Sequence, residues 1–224
     1  MKFFSVSIRE LATKVSTIRL ILYDFSKVHT RVYIISASIE IMIVGITGPI
    51  ASGKSVFAEM LVERGFIRMT LSEEVREECK LRGLPIERKV LQDLGNELRI
   101  KHGTGYWARR LLAKVKADKN YIIEGIRNPG EIEELRKERN FVLIGFTAPE
   151  DLRLKWILKR NKDSDPKTIE EIRTIDRRDR GIGESAHGQQ SEACFAMADA
   201  YILNNTTLDD LRLKAVELVE QLGC

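Results

Sequence analysis

The amino-acid sequence predicts an α/β protein in which helices flank a parallel sheet. From Ile41 onward, short β-branched runs alternate with longer helical stretches, a pattern typical of stacked βαβ units. The chain has 224 residues, of which 43% are apolar and 31% are charged, so it can bury one full core and is too apolar for disorder. We therefore expect a single globular unit with an appendage.

The first predicted elements are a strand, a helix and a second strand. Ile41–Thr47 is a buried apolar run, and Gly53–Arg64 follows with apolar residues at helical spacing before Gly65, which is placed to end the helix. Phe66–Thr70 is predicted as a second short strand. Three helical stretches come next and form an all-helical insert at about residues 71–118: Glu73–Leu81, Ile86–Lys101 and Tyr106–Ala117.

The second half of the chain supplies the remaining elements. Tyr121–Ile126 and Phe141–Thr147 are apolar enough to be fully buried strands. The charged stretch between them, Pro129–Glu138, is predicted as a helix because proline fits the first helical turn. Tyr201–Leu203 is the last predicted strand and Leu208–Leu222 the closing helix, so the βαβ pattern continues to the end of the chain.

The charge and composition of the chain argue against nucleic-acid and membrane partners. Formal net charge is +4, and residues 1–41 hold six basic against three acidic side chains, so the body after them is nearly neutral. The apolar run Ile41–Ile46 is far shorter than the roughly 20 residues that a spanning helix needs. The three cysteines lack CxxC spacing, which favours a reducing cytoplasm.

The N-terminal residues 1–41 allow three interpretations. An upstream extension read in frame is preferred, because Met42 stands directly before the Ile43–Thr47 strand and would make a natural start. A basic, serine-rich targeting peptide is one alternative. An additional hairpin is the other, since Thr30–Ile46 is rich in β-prone residues. The globular domain is accordingly predicted over residues 42–224.

The strongest motif is GxxxxGK[ST], which runs from Gly48 to Ser55 between the first strand and the first helix. Its glycines let successive backbone N–H groups turn toward one anion, and the helix N-terminus adds partial positive charge. Lys54 is expected to reach the β- and γ-phosphates of ATP, and the Ser55 hydroxyl to bind Mg²⁺. The predicted nucleotide-binding residues are Gly48, Ile50, Ala51, Ser52, Gly53, Lys54 and Ser55.

Beyond this motif, the sequence resembles two related groups of kinases. Gly45–Ser55 is similar to the P-loop of dephospho-CoA kinases. The remainder resembles archaeal proteins related to adenylate kinase, and the likeness covers about residues 42–220. The segments that carry it are Arg68-Met69, Val75–Glu78, Arg82–Leu84, Glu97–Arg99, Glu124–Arg127, Ala148-Pro149, Asp176–Arg178, Gly181–Glu184 and Ala198–Ile202.

The resemblance implies a P-loop nucleoside monophosphate kinase fold, with a five-stranded parallel sheet, a helical acceptor-binding insert and an arginine-bearing lid at about residues 161–183. By position, Arg76, Arg99 and Arg127 would clamp the acceptor. Arginines suit that role because guanidinium groups bind phosphate oxygens bidentately. Each of them alone has an alternative role in a surface ion pair with an acid such as Glu73 or Glu131.

Candidate catalytic residues lie at Glu124 and in the lid. Glu124 ends a buried strand at the carboxyl edge of the sheet, where it would hold a Mg²⁺-bound water or orient the acceptor. Capping of the turn at Gly125 is the structural alternative. The charged stretch from Asn161 to Gly183 is either a solvated helix or a mobile lid whose arginines neutralise the transferring phosphoryl group. The candidates are Arg160, Arg173, Arg177 and Arg178, with Arg160 and Arg177 assigned as catalytic.

The predicted function is ATP-dependent phosphoryl transfer to a nucleoside or deoxynucleoside monophosphate, with ATP and Mg²⁺ as cofactors and a small-molecule nucleotide as acceptor. Dephospho-CoA kinase is the nearest alternative. A ribose hydroxyl profits from a carboxylate base, and the Asp-x-Asp that those kinases carry after the second strand is here Thr70-Leu71-Ser72. A regulatory P-loop ATPase that switches a partner is the third possibility.

Overall fold

The computed structural model describes residues 41–160, 166–183 and 185–221. The predicted N-terminal extension lies outside this range except for Ile41, and so does the part of the predicted lid at 161–165. No helix among the described residues is long and apolar enough to cross a bilayer.

Five parallel strands form one sheet, as predicted. They are β1 (Ile43–Thr47), β2 (Ile67–Thr70), β3 (Tyr121–Glu124), β4 (Phe141–Thr147) and β5 (Ala200–Leu203). Their spatial order is β2-β3-β1-β4-β5, so the first strand lies in the middle and pairs with β3 on one side and β4 on the other. Because a central parallel strand is covered on both faces, all five residues of β1 are buried.

Helices precede or follow these strands throughout the described part of the chain. The helices α2, α3 and α4 form the predicted insert between β2 and β3. The helices are α1 (Lys54–Glu63), α2 (Leu71–Leu81), α3 (Arg88–His102), α4 (Tyr106–Leu112), α5 (Pro129–Leu135), α6 (Glu150–Arg160), α7 (Ile169–Arg180), α8 (Ser191–Ala196) and α9 (Leu208–Gln221).

Several helices differ from the sequence prediction, α4 and α6 most clearly. The helix predicted over Tyr106–Ala117 ends at Leu112, because the chain tightens into a turn in which the Lys114 N–H donates to the carbonyl of Leu111. Helix α6 follows β4 and was not predicted. Its buried residues are Arg153 and Ile157, so it lacks the apolar stripe by which an amphipathic helix is recognised.

Apolar side chains fill both faces of the sheet. Successive residues of a strand point to opposite faces, and β1 follows this rule. Ile43 joins the core cluster under the helical insert, which includes Trp107, whereas Val44 and Ile46 join the opposite cluster with Phe57 of α1. Each such side chain contributes about 1.5–3 kcal/mol when fully buried. This packing fixes β1 and therefore the start of the loop that follows it.

The carboxyl ends of the strands meet along one edge of the sheet. The P-loop leaves β1 there. Thr70 and Glu124 are register partners at the ends of β2 and β3, and Thr147 and Leu203 occupy the same level on β4 and β5. Open α/β sheets bind their ligands along this edge, so the fold places the P-loop, Glu124 and the insert around one region.

Candidate active site

A cleft of about 720 Å³ runs along the carboxyl edge of the sheet. The P-loop, the ends of β2 and β3, the insert, α6 and the connection between β5 and α9 all contribute to its lining. Seven lining side chains are basic and two are acidic: Lys54, Arg68, Arg76, Arg88, Arg127, Lys159 and Arg160, against Glu124 and Asp179. This excess of positive charge favours a ligand that carries several negative charges.

Close packing against neighbouring elements fixes the P-loop backbone. Gly48 has a φ of +132°, and a Cβ atom there would lie 2.0 Å from the carbonyl oxygen of Phe146. Gly53 has a φ of +104°, and a Cβ atom there would lie 2.9 Å from Nδ2 of Asn204. Both positions therefore require glycine. Ala51 has a φ of 59°, the left-handed region that costs a residue with a Cβ atom about 1–2 kcal/mol.

The N-terminus of α1 is suited to an anion. Its N-cap, Gly53, makes no side-chain cap hydrogen bond, so the backbone N–H groups of the first turn can bind a ligand. Ser55 lies exposed in this turn and lines the cleft. A serine hydroxyl suits Mg²⁺, which takes oxygen ligands and commonly binds proteins through one or two side chains together with substrate phosphates. The residues present thus fit a magnesium nucleotide.

The ammonium group of Lys54 lies against the P-loop backbone. Its Nζ atom donates hydrogen bonds to the carbonyl oxygens of Gly48 at 2.7 Å and Pro49 at 2.6 Å. Burial, helped by the positive charge of Arg127, lowers the pKa of Lys54 to about 7. A bound phosphate would act in the opposite direction, because its negative charge favours the protonated ammonium.

The structure brings two of the three predicted clamp arginines into the cleft. Arg76 and Arg127 line it, and Arg76 also lies 3.3 Å from Glu73 in the ion pair given above as its alternative. Arg99 is placed elsewhere. Its side chain is 6% exposed, and Nη2 lies 2.7 Å from Oε1 of Glu131, whose side chain is fully buried. Arg99 therefore forms a buried ion pair and does not line the cleft.

Glu131 connects Arg99 to the loop that carries Arg127. The Oε1 atom accepts hydrogen bonds from Arg99, while Oε2 accepts from the backbone N–H groups of Arg127 at 2.9 Å and Asn128 at 3.1 Å. The Asn128 side chain caps α5 and donates to the carbonyl oxygens of Ala186 and Gly188. A buried polar network thus holds the backbone of Arg127 in place.

The guanidinium group of Arg127 faces the chain around α7. Its Nη1 atom donates to Oδ1 of Asp179 at 3.0 Å and to Oε1 of Gln189 at 2.9 Å. The same Asp179 oxygen lies 3.8 Å from Nη2 of Arg88. Two arginines of the cleft therefore share one carboxylate of the predicted lid.

Glu124 lines the cleft, and its carboxylate is bound by Arg68. The Nε and Nη2 atoms of Arg68 both lie 2.5 Å from Oε2 of Glu124. The Glu124 side chain is 12% exposed, whereas that of Arg68 is 37% exposed. Glu124 thus faces the cleft as a carboxylate whose charge is offset by a neighbouring guanidinium.

Of the four candidate lid arginines, one lines the cleft and three do not. Arg160 lines the cleft, whereas Arg177 is exposed and does not belong to the lining. The other two candidates form ion pairs with partners outside the cleft: Arg173 with Glu150 at 2.8 Å and Arg178 with Asp93 at 3.2 Å. Of the four candidates, Arg160 is the one whose position suits contact with a ligand in the cleft.

An ion pair that sequence reasoning missed joins the lid to the P-loop. Arg153 of α6 is 2% exposed and contacts both carboxylate oxygens of Asp176, at 3.1 and 2.5 Å. The same guanidinium donates to the P-loop carbonyl of Ile50 at 3.2 Å. The sequence pattern that could have indicated this pair is the helical spacing of Ile172, Asp176 and Asp179. It places one apolar and two acidic residues on the same, buried side of α7.

Arg68 and Arg88 are further cleft residues without a role in the sequence analysis. Arg68 belongs to a segment that carried the family resemblance, and its place on β2, two residues before the end of that strand, could have indicated the carboxyl edge of the sheet. Arg88 begins α3, and its surroundings depend on how the insert packs. The residues next to Arg88 in the sequence therefore do not indicate that it lines the cleft.

Comparison with known proteins agrees with this geometry. A family model for the AAA domain matches residues 44–177, which is more than half of the chain. The UPF0200 protein of Sulfurisphaera tokodaii is 31% identical over 184 residues, covering 81% of this chain and 98% of that protein. The family match includes the P-loop and runs from Val44 in β1 to Arg177 in α7.

A solved structure of 23% sequence identity has the same fold. The crystal structure of TT1252 from Thermus thermophilus aligns with 81% of this chain and 98% of its own, with a TM-score of 0.51 and 23% identity. With its central P-loop strand and five-stranded parallel sheet, the chain has a P-loop kinase fold and belongs to the AAA domain family and to the UPF0200 proteins.

Proposed function

We propose that this protein transfers the γ-phosphoryl group of ATP to a nucleoside or deoxynucleoside monophosphate. The observation that carries the proposal is the arrangement of positive charge in one cleft. The P-loop and Lys54 line the same cleft as arginines from β2, the insert and the loop after β3. Such a cleft can bind two phosphate chains end to end and bring their reacting atoms together, which is most of what phosphoryl transfer requires.

The donor phosphates would bind to the P-loop. The backbone N–H groups of Gly53 and the first turn of α1 would hold the β-phosphate, and Lys54 would exchange its bonds to the carbonyls of Gly48 and Pro49 for bonds to phosphate oxygens. Mg²⁺, bound through the Ser55 hydroxyl, would neutralise charge on the phosphates. We assign the same role to Arg160, the lid arginine that lines the cleft.

The state of the two carboxylates favours a monophosphate as the acceptor. Glu124 is bound by Arg68 and Asp179 by Arg127, so each acid of the cleft already contacts a guanidinium group. A ribose hydroxyl must lose its proton and gains from a carboxylate that is available to accept it. A monophosphate, with a pKa of about 6, is already largely ionised at neutral pH. Among the cleft arginines, we assign Arg76 and Arg127 to bind it, with Arg88, which shares Asp179 with Arg127, beside them.

A screen of acceptors tests the proposal. Steady-state kcat/KM would be measured with ATP and Mg²⁺ for AMP, CMP, GMP, UMP, their deoxy forms and dephospho-CoA in one buffer. The expected result is ADP formation that depends on a monophosphate and is abolished by Lys54→Ala in a folded protein. A preference for dephospho-CoA of more than about tenfold, or roughly 1.4 kcal/mol, would support hydroxyl phosphorylation with Glu124 as the base. ADP formation that ignores every acceptor would support a regulatory ATPase.

Two variants locate the acceptor within the cleft. Arg76→Ala and Arg127→Ala are expected to raise the acceptor KM or lower kcat while ATP binding stays nearly unchanged. Arg109→Ala is a matched control, because Arg109 belongs to the insert but pairs with Glu134 outside the cleft. Acceptor kinetics that respond equally to all three variants would show a general effect of lost positive charge, and would contradict the placement of the acceptor.

A further inference from the structure

A carboxylate of the lid helix lies inside the cleft. Asp179 of α7 is 7% exposed and belongs to the lining. Its Oδ1 atom lies 3.0 Å from Nη1 of Arg127 and 3.8 Å from Nη2 of Arg88. A buried carboxylate is retained where it is paired, so the contacts with these two arginines keep Asp179 in the cleft.

Both arginines line the same cleft as the P-loop. Arg127 follows β3, and Arg88 begins α3 of the insert. Among the described residues, no other carboxylate lies within salt-bridge distance of either guanidinium group. The charge that a phosphate would otherwise neutralise is therefore partly neutralised by the protein itself.

We propose that Asp179 occupies the place of an acceptor's phosphate between Arg127 and Arg88, so that a phosphate-bearing acceptor binds by displacing it. This inference rests on the proposed function for the identity of the ligand. A carboxylate carries one negative charge, whereas a phosphate monoester carries about 1.5–2 and offers three acceptor oxygens. The phosphate is therefore the better partner for two guanidinium groups, and the exchange is favourable.

The attachment of α7 to the P-loop suggests how this helix would respond when Asp179 is displaced. One turn earlier, Asp176 is held by Arg153 next to the P-loop carbonyl of Ile50. Asp179 therefore lies about one turn from a fixed point of the donor site. Once displaced, its carboxylate repels the phosphate that replaced it. Acceptor binding thus pushes the C-terminal end of α7 away from Arg127 while its middle stays attached to the P-loop.

Equilibrium binding of inorganic phosphate tests the exchange without any turnover. The P-loop would first be filled with a non-hydrolysable ATP analogue and Mg²⁺, so that added phosphate reports the acceptor side. Asp179→Asn removes the charge and keeps the size of the side chain. It is expected to tighten phosphate binding by roughly tenfold, the scale of one charge-assisted hydrogen bond. Adding Arg127→Ala to this variant should abolish the gain.

Two further variants make the test specific. Asp93→Asn removes the acid that pairs with Arg178 outside the cleft, and it should leave phosphate affinity unchanged. Asp179→Glu keeps the charge, so its affinity should stay near that of the wild type. Thermal unfolding of each variant confirms that it is folded before binding is measured.

Weaker or unchanged phosphate binding in folded Asp179→Asn would overturn the inference, because Asp179 would then orient Arg127 or have no effect on the site. The outcome is separable from the proposed function. If no acceptor is phosphorylated and yet Asp179→Asn binds phosphate more tightly, the exchange is supported and the proposed function fails. If a monophosphate is phosphorylated and phosphate affinity does not change, only the exchange fails.

Discussion

At the scale of single residues, the proton on Lys54 responds to what occupies the P-loop. Its pKa is lowered from 10.5 to about 7 by burial, then by the charge of Arg127. At pH 8 the lysine of the ligand-free protein is therefore mostly neutral, and phosphates favour its charged form. We expect ATP binding at pH 8 to take up about one proton, measured by titration calorimetry in two buffers of different ionisation enthalpy.

The Lys54→Ala variant is the control for this measurement and should take up no proton at pH 8. Equal proton uptake by wild type and variant would contradict the assignment of this proton to Lys54.

The same pKa also affects the stability of the ligand-free protein. Because the unfolded chain keeps its lysine protonated up to about pH 10.5, it binds more protons than the folded chain above pH 7. The contribution of Lys54 to the free energy of unfolding should therefore rise between pH 7 and 10.5.

Ala51 holds strain that a single substitution should release. Its φ of 59° is a conformation that glycine adopts freely. We expect Ala51→Gly to raise the free energy of unfolding by about 0.5–1 kcal/mol, the left-handed penalty less the extra entropy of glycine in the unfolded chain. Ala113→Gly is the matched control. Ala113 has helical dihedral angles, so glycine there should lower stability. A lower melting temperature for Ala51→Gly would contradict the prediction.

The candidate site was predictable where its residues are neighbours in the chain. The P-loop could be located because one local motif contains the glycines, Lys54 and Ser55. Glu131 was named as an acid that could pair with a clamp arginine, but its pairing with Arg99 could not be predicted, since the two lie 32 residues apart on different helices. Arg88 was missed for the same reason. Roles that depend on contacts between distant segments leave no pattern in a single sequence.

At the scale of secondary structure elements, one buried ion pair connects α3 to α5. The side chains of Arg99 and Glu131 are 6% and 0% exposed, and removing one partner of such a pair leaves an uncompensated buried charge. We expect Arg99→Met to lower the free energy of unfolding by about 3–5 kcal/mol. Arg127→Met should lower it less, because that side chain is 34% exposed and Asp179 keeps Arg88 as a neighbour at 3.8 Å.

Denaturant unfolding of the two variants checks this difference. If Arg127→Met destabilises the protein as much as Arg99→Met does, the loop after β3 is held by Arg127 itself and not by the Glu131 network. Acceptor kinetics provide the second comparison, because Arg127→Met should raise the acceptor KM in a stably folded protein.

The strands and most helices were predictable because hydrophobic periodicity reports which side of an element is buried. Helix α7 shows where this signal ends. Its buried residues are Ile172, Asp176 and Asp179, so two of the three positions that face inward are acids. The charge pattern alone left open whether this stretch was a solvated helix or a lid. Helix α6 escaped prediction in the same way, since Arg153 is one of its two buried residues.

At the scale of the whole molecule, we propose that the chain from Met42 onward is sufficient for folding and activity. The family match begins at Val44, and β1 begins at Ile43. The backbone N–H of Met42 donates to Oδ1 of Asn120 at 2.9 Å, a bond that an N-terminal amine can also make. A protein that starts at Met42 should match the full chain in melting temperature and kcat/KM. A loss of more than about 4 °C, or roughly 1 kcal/mol, would show that residues 1–41 complete the core.

The central position of β1 also sets an order of events during synthesis. This strand is made early, yet its two neighbours begin at Tyr121 and Phe141. The first of them becomes available only after more than half of the chain has left the ribosome, and the second after about two thirds. Contacts between such distant segments are slow to form, because the intervening chain must be closed into a loop first. The P-loop therefore gains its shape late, and a nascent chain that ends before Phe141 should not bind ATP.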